Sequence, residues 1–346
     1  MMMNKIKKII GLGLVLSLTL GLFVGCGQAS AKASENKSEA ADANEQRVIR
    51  LGNFPFSIWN AQIIVAYQNG YFDEVFEGKN VDVEITDFAN GPAANEAFVA
   101  GDLDIINGIG DQPIVVGIAN GVDTKILSGA AKQGENIGVI APGDRGITST
   151  ADLKGKKVGV YIGTYVHKSI IGILNDAGLS EEDVELVNIS STSDASAAFA
   201  SGDIDAYLSM SGDYIHEKVD GEGYVVVNDC ANHPAFSYIV ASAKFVDENQ
   251  DILADFYDAL DKAQKFIDEN TDEAYSIIAE FSDYDVDTVR YTIENADIQL
   301  AWDEDYEQNL LETYDFLFSH EMITTELSED DILDRVDTSI IDTYSK

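Results

Sequence analysis

The sequence predicts an α/β protein of two similar lobes, each a mostly parallel sheet flanked by helices, with a ligand cleft between the lobes. Three observations lead there. Between residues 48 and 240, short β-branched runs alternate with helical ones, the order a parallel sheet requires. The phrase AFVAGDLD at 97–104 returns as AFASGDID at 198–205, an offset of 101. Beyond the last strand, apolar residues recur only at helical spacing, so the tail adds helices rather than a third sheet.

Residues 48–51 alternate as a first strand and lead into an aromatic loop at 54–60. A helix over 61–67 closes at Asn69-Gly70, and 81–87 is the second strand. Asn90-Gly91-Pro92 turns the chain into a helix over 93–100, with Pro92 where a missing N–H is no loss. Residues 103–106 form a strand, 108–113 a loop, 114–120 a helix and 125–127 a further strand.

The order then recurs. The second strand, VDVEITD, is echoed by VELVNIS from Val184, and Gly110-Asp111 by Gly212-Asp213. Residues 158–161 are a strand, Gly163-Thr164 a break, and 166–177 a helix stopped at Gly178. That turn leaves the backbone N–H groups of Thr164 to His167 at the mouth of a sheet, where open α/β proteins hold a small anion or polar ligand. Residues 233–240 return as a strand toward the first unit. In the tail, Phe256, Phe266, Phe281, Phe316 and Phe318 lie at core spacing.

Two like units face their loops across a cleft, a preferred place for a small molecule, and closure over it is a hinge motion. The facing loops are 53–60, 89–92 and 108–113 on one side and 162–167, 190–195 and 209–214 on the other. The expected division is a first lobe of 47–130 plus 237–346 and a second of 131–236.

The chain carries 22 Lys+Arg against 61 Asp+Glu, a net charge of −39, which argues against nucleic acid as a partner. Two cysteines, Cys26 and Cys230, supply neither a disulfide framework nor a Cys-based metal site, and Cys230 reads as an inert buried thiol. No catalytic residue, metal or cofactor is expected. Lys5, Lys7 and Lys8 precede an apolar run at 9–24 that ends in Leu22-Phe23-Val24-Gly25-Cys26. This resembles a lipoprotein signal over 1–25, with Phe23 where Leu is usual and Cys26 as the lipid-bearing residue, followed over 26–46 by a disordered tether without aromatic or β-branched residues; an ordinary secretory signal or an uncleaved anchor is the alternative.

Several phrases go further: IRLGNF, WNAQIIVAYQNGYF, ANGPAANEAF, GIGDQP, ADLKGKKVGVYIGTYVHKS and AAFASGDIDAYLSMSGDY. In them the chain resembles the solute-binding proteins of bacterial ABC importers, in the branch that binds aliphatic sulfonates and taurine, with relatives that bind nitrate or thiamine pyrimidine precursors. The resemblance implies a periplasmic-binding-protein-like type II fold, no catalysis, a membrane face outside the cytoplasm, a monomer, and ABC permease and ATPase subunits as partners. It implies ligand loops at Asn90-Gly91-Pro92, Gly110-Asp111-Gln112-Pro113, Gly163-Thr164-Tyr165-Val166-His167 and Asp213-Tyr214, where a family Trp and Pro are missing. A sensor that hands its ligand to a kinase is the alternative role.

Residue by residue, Thr164 and Tyr165 could offer hydroxyl and N–H groups to an oxyanion. Trp59 and Asn60 could wall the ligand, as could Tyr214. Asp111 and Asp213 cannot donate to an anion unless protonated, so they would bond loop backbone or a ligand ammonium. His167 could face the cleft or pack. No Arg falls in a cleft loop. An anion would then rest on backbone N–H groups and hydroxyls; the other ligand left open is a neutral heteroaromatic held between Phe54, Trp59, Tyr165 and Tyr214.

Overall fold

The computed structural model describes residues 46–54, 58–210, 214 and 224–343. The signal, the tether through residue 45 with Cys26, Asp213 and residues 55–57 lie outside them. The described strands are β1 (Arg47–Asn53), β2 (Val81–Asp87), β3 (Ile105–Gly110), β4 (Thr124–Gln133), β5 (Ile137–Pro142), β6 (Lys157–Val160), β7 (Glu185–Asn188), β8 (Ala206–Met210), β9 (Tyr224–Asp229) and β10 (Ala235–Ser242). They form two five-stranded sheets, ordered β2-β1-β3-β10-β4 and β7-β6-β8-β5-β9. In both, the fourth strand in the order runs against the other four.

The helices are α1 (Ala61–Gln68), α2 (Tyr71–Val75), α3 (Gly91–Val99), α4 (Asp111–Ala119), α5 (Tyr165–Asp176), α6 (Thr192–Ser201), α7 (Ala243–Glu248), α8 (Gln250–Glu269), α9 (Thr271–Ser282), α10 (Val286–Glu294), α11 (Glu304–Ser319) and α12 (Glu329–Leu333). One face of the first sheet packs on α1, α8 and α9, the other on α3, α4 and α11. The second sheet has its own core with α5 and α6, and Trp59 of the first lobe is buried in it.

The repeated phrase is a joint. Gly101 and Gly202 take φ +80° and +79°, a left-handed turn that favours glycine. Asp104 then accepts from Arg50 N–H and returns its own N–H to Arg50 O, both at 2.9 Å. Asp205 does the same with Lys157, at 3.0 and 2.8 Å. Asp104 thus pins β3 beside β1, and Asp205 pins β8 beside β6. Arg50 pairs with Glu84 and Lys157 with Glu185, so the 101-residue echo of the second strand begins at Val83, not Val81.

Three expectations need correction. Gly108–Gly110, read as loop, continues β3, and Asp111–Pro113 is the first turn of α4; Pro113 is tolerated there because first-turn N–H groups lack helical partners anyway. Phe318, read as core, is 39% exposed and stacks on Tyr314, while Phe256 is fully buried. The β5 and β9 strands and α2 had no counterpart in the sequence reading.

The chain crosses between the sheets twice, from β4 to β5 and from β9 to β10. The crossings touch: Cys230 N–H donates to Gly134 O at 3.2 Å, and a Cβ on Gly134 would meet Ala231 Cα at 2.9 Å. Cys230 is wholly buried there, and burial pushes its thiol pKa up, consistent with an inert group.

Candidate functional site

Three helices point their N-termini at one small cavity between the lobes. The residues preceding them, Asn90 before α3, Gly110 before α4 and Thr164 before α5, all line it. Two of these helices belong to the first sheet and one to the second. Each helix start carries partial positive charge, so the convergence favours an anion. Phe54 and Met210 give the cavity an apolar side, and Tyr161 and Tyr165 an aromatic one. Among the described residues no Lys or Arg lines it. Its volume is about 20 Å³, room for roughly one water.

Asn90 has extended backbone and caps α3, its Oδ1 accepting from Ala93 N–H at 3.0 Å. Its Nδ2 donates across the cleft to Ser190 O at 3.2 Å. Gly91 is needed beneath Pro113, since a Cβ there would lie 2.9 Å from the proline ring. Gly163 (φ +80°) makes the turn into α5 and faces Pro92 of the other lobe.

The α5 turn is partly self-satisfied. Thr164 Oγ1 donates to Tyr161 O at 2.7 Å, Thr164 N–H donates to the same oxygen, and His167 N–H donates to Thr164 O. Of the four N–H groups expected at that mouth, those of Thr164 and His167 are therefore engaged within the turn. The Thr164 hydroxyl, expected as a ligand donor, is engaged as well.

Tyr165 lies over Gly110, where a Cβ would come within 2.5 Å of its ring, and meets Trp59 edge-on at 6.4 Å between centroids. The Tyr165 hydroxyl and Trp59 Nε1 are both buried without a hydrogen-bond partner. Burial raises the Tyr165 pKa, so the hydroxyl stays protonated and able to donate. Asn60 Oδ1 is likewise unpartnered, and its amide covers Gly108, which lines the cavity.

The other expected residues point elsewhere. Asp111 is 1% exposed and turned toward α11: its Oδ2 accepts from Asn309 at 2.9 Å and Thr313 at 2.7 Å, and lies 3.3 Å from Lys168 Nζ. Its Oδ1 accepts from Gln112 N–H at 2.8 Å, inside the first turn of α4 rather than in a loop. The Gln112 amide is buried and unpartnered at both atoms. His167 packs edge-on against Phe316, and burial lowers its pKa. Tyr214 is wholly buried in the second core, over Gly138.

Met210 lines the cavity and Ser190 accepts across it, though the sequence marks them only as members of the 209–214 and 190–195 loops; Asn309 and Thr313 lie outside every expected loop. Asn309 and Thr313 did carry a signal: two polar residues at i, i+4 among the apolar positions Tyr306, Leu310 and Leu317. Among the described residues no cluster of three or more His, Cys, Asp or Glu could hold a metal, and no helix is long and apolar enough to cross a membrane.

Two lobes of equivalent strand order with a cavity at their facing helix starts define a periplasmic-binding-protein fold. The chain belongs to the NMT1/THI5-like family, whose model matches residues 59–274. It is 26% identical over 325 residues to a putative aliphatic sulfonates-binding protein of Bacillus subtilis, covering 93% of each chain. It is 28% identical to the formylaminopyrimidine-binding protein of Halalkalibacterium halodurans, covering 72% and 74%. Among solved structures, the alkanesulfonate-binding protein SsuA of Xanthomonas axonopodis pv. citri, bound to MOPS, superposes with a TM-score of 0.72 at 20% identity, covering 85% and 99%. The desulfurization enzyme DszB shares the fold at a TM-score of 0.65 and 17% identity, covering 86% and 98%.

Proposed function

We propose that this protein is the extracytoplasmic solute receptor of an ABC importer. It captures a small organic oxyanion, most simply an aliphatic sulfonate or taurine-like compound, by closing its lobes, and does no chemistry on it. The observation that carries this is the meeting of three helix N-termini from two lobes at one cavity without a lining cation. A sulfonate spreads one charge over three oxygens, so several N–H and O–H donors suit it. The Tyr165 hydroxyl, on a residue that lines the cavity, stands ready as one of them. Each helix terminus contributes up to about 2 kcal/mol in a partly buried site. A micromolar receptor needs about 8 kcal/mol. Donor bonds and burial of an alkyl chain against Phe54 and Met210 must supply the rest.

Asn90 to Ser190 and Lys168 to Asp111 join the lobes across the cavity, so ligand enters by lobe opening and is held by closure. The moving bodies are 47–130 plus 237–346 and 131–236. A lipid on Cys26 and a tether over 26–46 hold the monomeric receptor near its permease and ATPase. The aromatic wall of Phe54, Tyr161 and Tyr165 favours a second reading, a neutral heteroaromatic ligand, and the formylaminopyrimidine-binding relative agrees with it.

Calorimetric titration decides between them. Heat with ethanesulfonate or taurine, and recovery of the compound unchanged by mass spectrometry, is expected. Binding of a formylaminopyrimidine but of no sulfonate would replace the first reading with the second, and conversion of the compound would make the protein an enzyme.

A further inference from the structure

Asp111 and Lys168 meet in a buried polar cluster behind the cavity. Asp111 is the first residue of α4, in the first lobe; Lys168 lies one turn into α5, in the second. Lys168 Nζ donates to Asn309 Oδ1 at 2.6 Å and Thr313 Oγ1 at 2.9 Å, and lies 3.3 Å from Asp111 Oδ2. Asn309 Nδ2 reaches both Asp111 Oδ2 and the Tyr238 hydroxyl, at 2.9 and 2.8 Å. Tyr238 in turn donates to Tyr306 O. Asp111, Asn309, Thr313 and Tyr238 all come from elements of the first lobe. Lys168 alone crosses from the second.

We propose that Asp111 and Lys168 are positioning residues of the cleft: their ion pair forms as the lobes shut and sets the α4 and α5 N-termini against the ligand. Asp111 is 1% exposed and the Lys168 side chain 20%, so the shut form dries the carboxylate. A dry carboxylate needs a charge partner as well as hydrogen bonds. Asn309 and Thr313 supply the bonds in either form, but only closure brings the charge. When the lobes part, water reaches Asp111 and the requirement lapses. The pair also answers an electrostatic problem. A carboxylate in the first turn of α4 would repel an anion at that helix start, and Lys168 cancels it from behind. Both effects make Lys168 favour the liganded, shut protein although its ammonium does not line the cavity. The electrostatic half of this rests on the anion reading above; the closure half does not.

The test places spin labels at Val99→Cys and Glu182→Cys, one on each lobe, in the full chain with Cys26→Ser, and measures their distance distribution without ligand. Lys168→Met is expected to move the distribution to longer distances and to weaken ethanesulfonate binding tenfold or more. Lys168→Gln, which keeps hydrogen-bonding capacity without charge, should do the same, and guards against a packing artefact of Met. The double variant Asp111→Asn/Lys168→Met, which removes both charges, should restore the distances and most of the affinity. An unchanged distribution in both single variants overturns the proposal, as does a double variant no better than Lys168→Met. If no sulfonate binds any form, the distances still decide the closure, and only the ligand reading fails.

Discussion

Asn90 of the first lobe caps its own helix with one amide atom and reaches Ser190 O of the second lobe with the other. One side chain therefore sets a helix start and ties it across the cleft. Asn90→Ser keeps a cap but cannot span the gap; Asn90→Ala loses both. The cap contributes about 1 kcal/mol. Asn90→Ala should lower Tm by a few degrees while Asn90→Ser barely moves it, and both should speed ligand dissociation in stopped-flow. Equal Tm losses in the two variants would show that the interlobe bond, not the cap, carries the stability.

Tyr165 and Gly110 touch so closely that no β-carbon fits between them. Gly110 has φ −73°, so alanine there meets no backbone strain, only the ring. Tyr165 cannot retreat without disturbing Trp59. Gly110→Ala should wedge the cleft, at a stability cost of about 1–3 kcal/mol, and drop affinity more than tenfold by calorimetry. Retained affinity would mean the ring moves freely.

The buried, unpartnered Tyr165 hydroxyl separates stability from binding. Removing an unsatisfied buried polar group is neutral or stabilising, by up to about 1 kcal/mol. Tyr165→Phe should therefore hold or raise the Tm of the ligand-free protein and still weaken sulfonate binding. A lower Tm with unchanged affinity would assign the hydroxyl to the fold.

Asp183 ends the short turn that follows α5. Lys154, at 2.8 Å, and the Ser180 N–H and hydroxyl hold its pKa down to about 2 from the ordinary 3.8. A carboxylate with a folded pKa below its unfolded one adds stability that is complete above the unfolded value and is lost as pH falls through the folded one. Melts between pH 5 and pH 2 should thus fall more steeply for the natural chain than for Asp183→Asn. Parallel slopes would show that the contact is too exposed to matter.

How far the sequence reaches follows from where each signal lies. The two lobes could be read because each repeated phrase packs a helix end, a left-handed glycine and a strand-registering aspartate into eight residues. The cleft loops followed from that symmetry, and Asn90, Gly110, Thr164 and Tyr165 do gather at one cavity. The end of β3 is hidden, because Gly108 and Gly110 serve close approach by Asn60 and Tyr165, and two glycines within three residues look like a loop. The orientation of Asp111 was beyond local pattern altogether. Its partners stand 198 and 202 residues along the chain, and nothing near Asp111 announces them.

The place of β10 inside the first sheet has a consequence for how the chain is made. It lies between β3 and β4, which cannot join one another without it, yet it follows the whole second lobe in sequence. A chain emerging from its N-terminus has every strand of the second sheet by Asp229, while the first sheet stays divided until Ser242. The lobe begun last is complete first, and the other waits with an open seam for a single strand to enter. Such non-local pairing is slow. The seam between β3 and β4 is accordingly where a chaperone would shield the growing protein, and where a chain truncated before residue 235 would begin to aggregate.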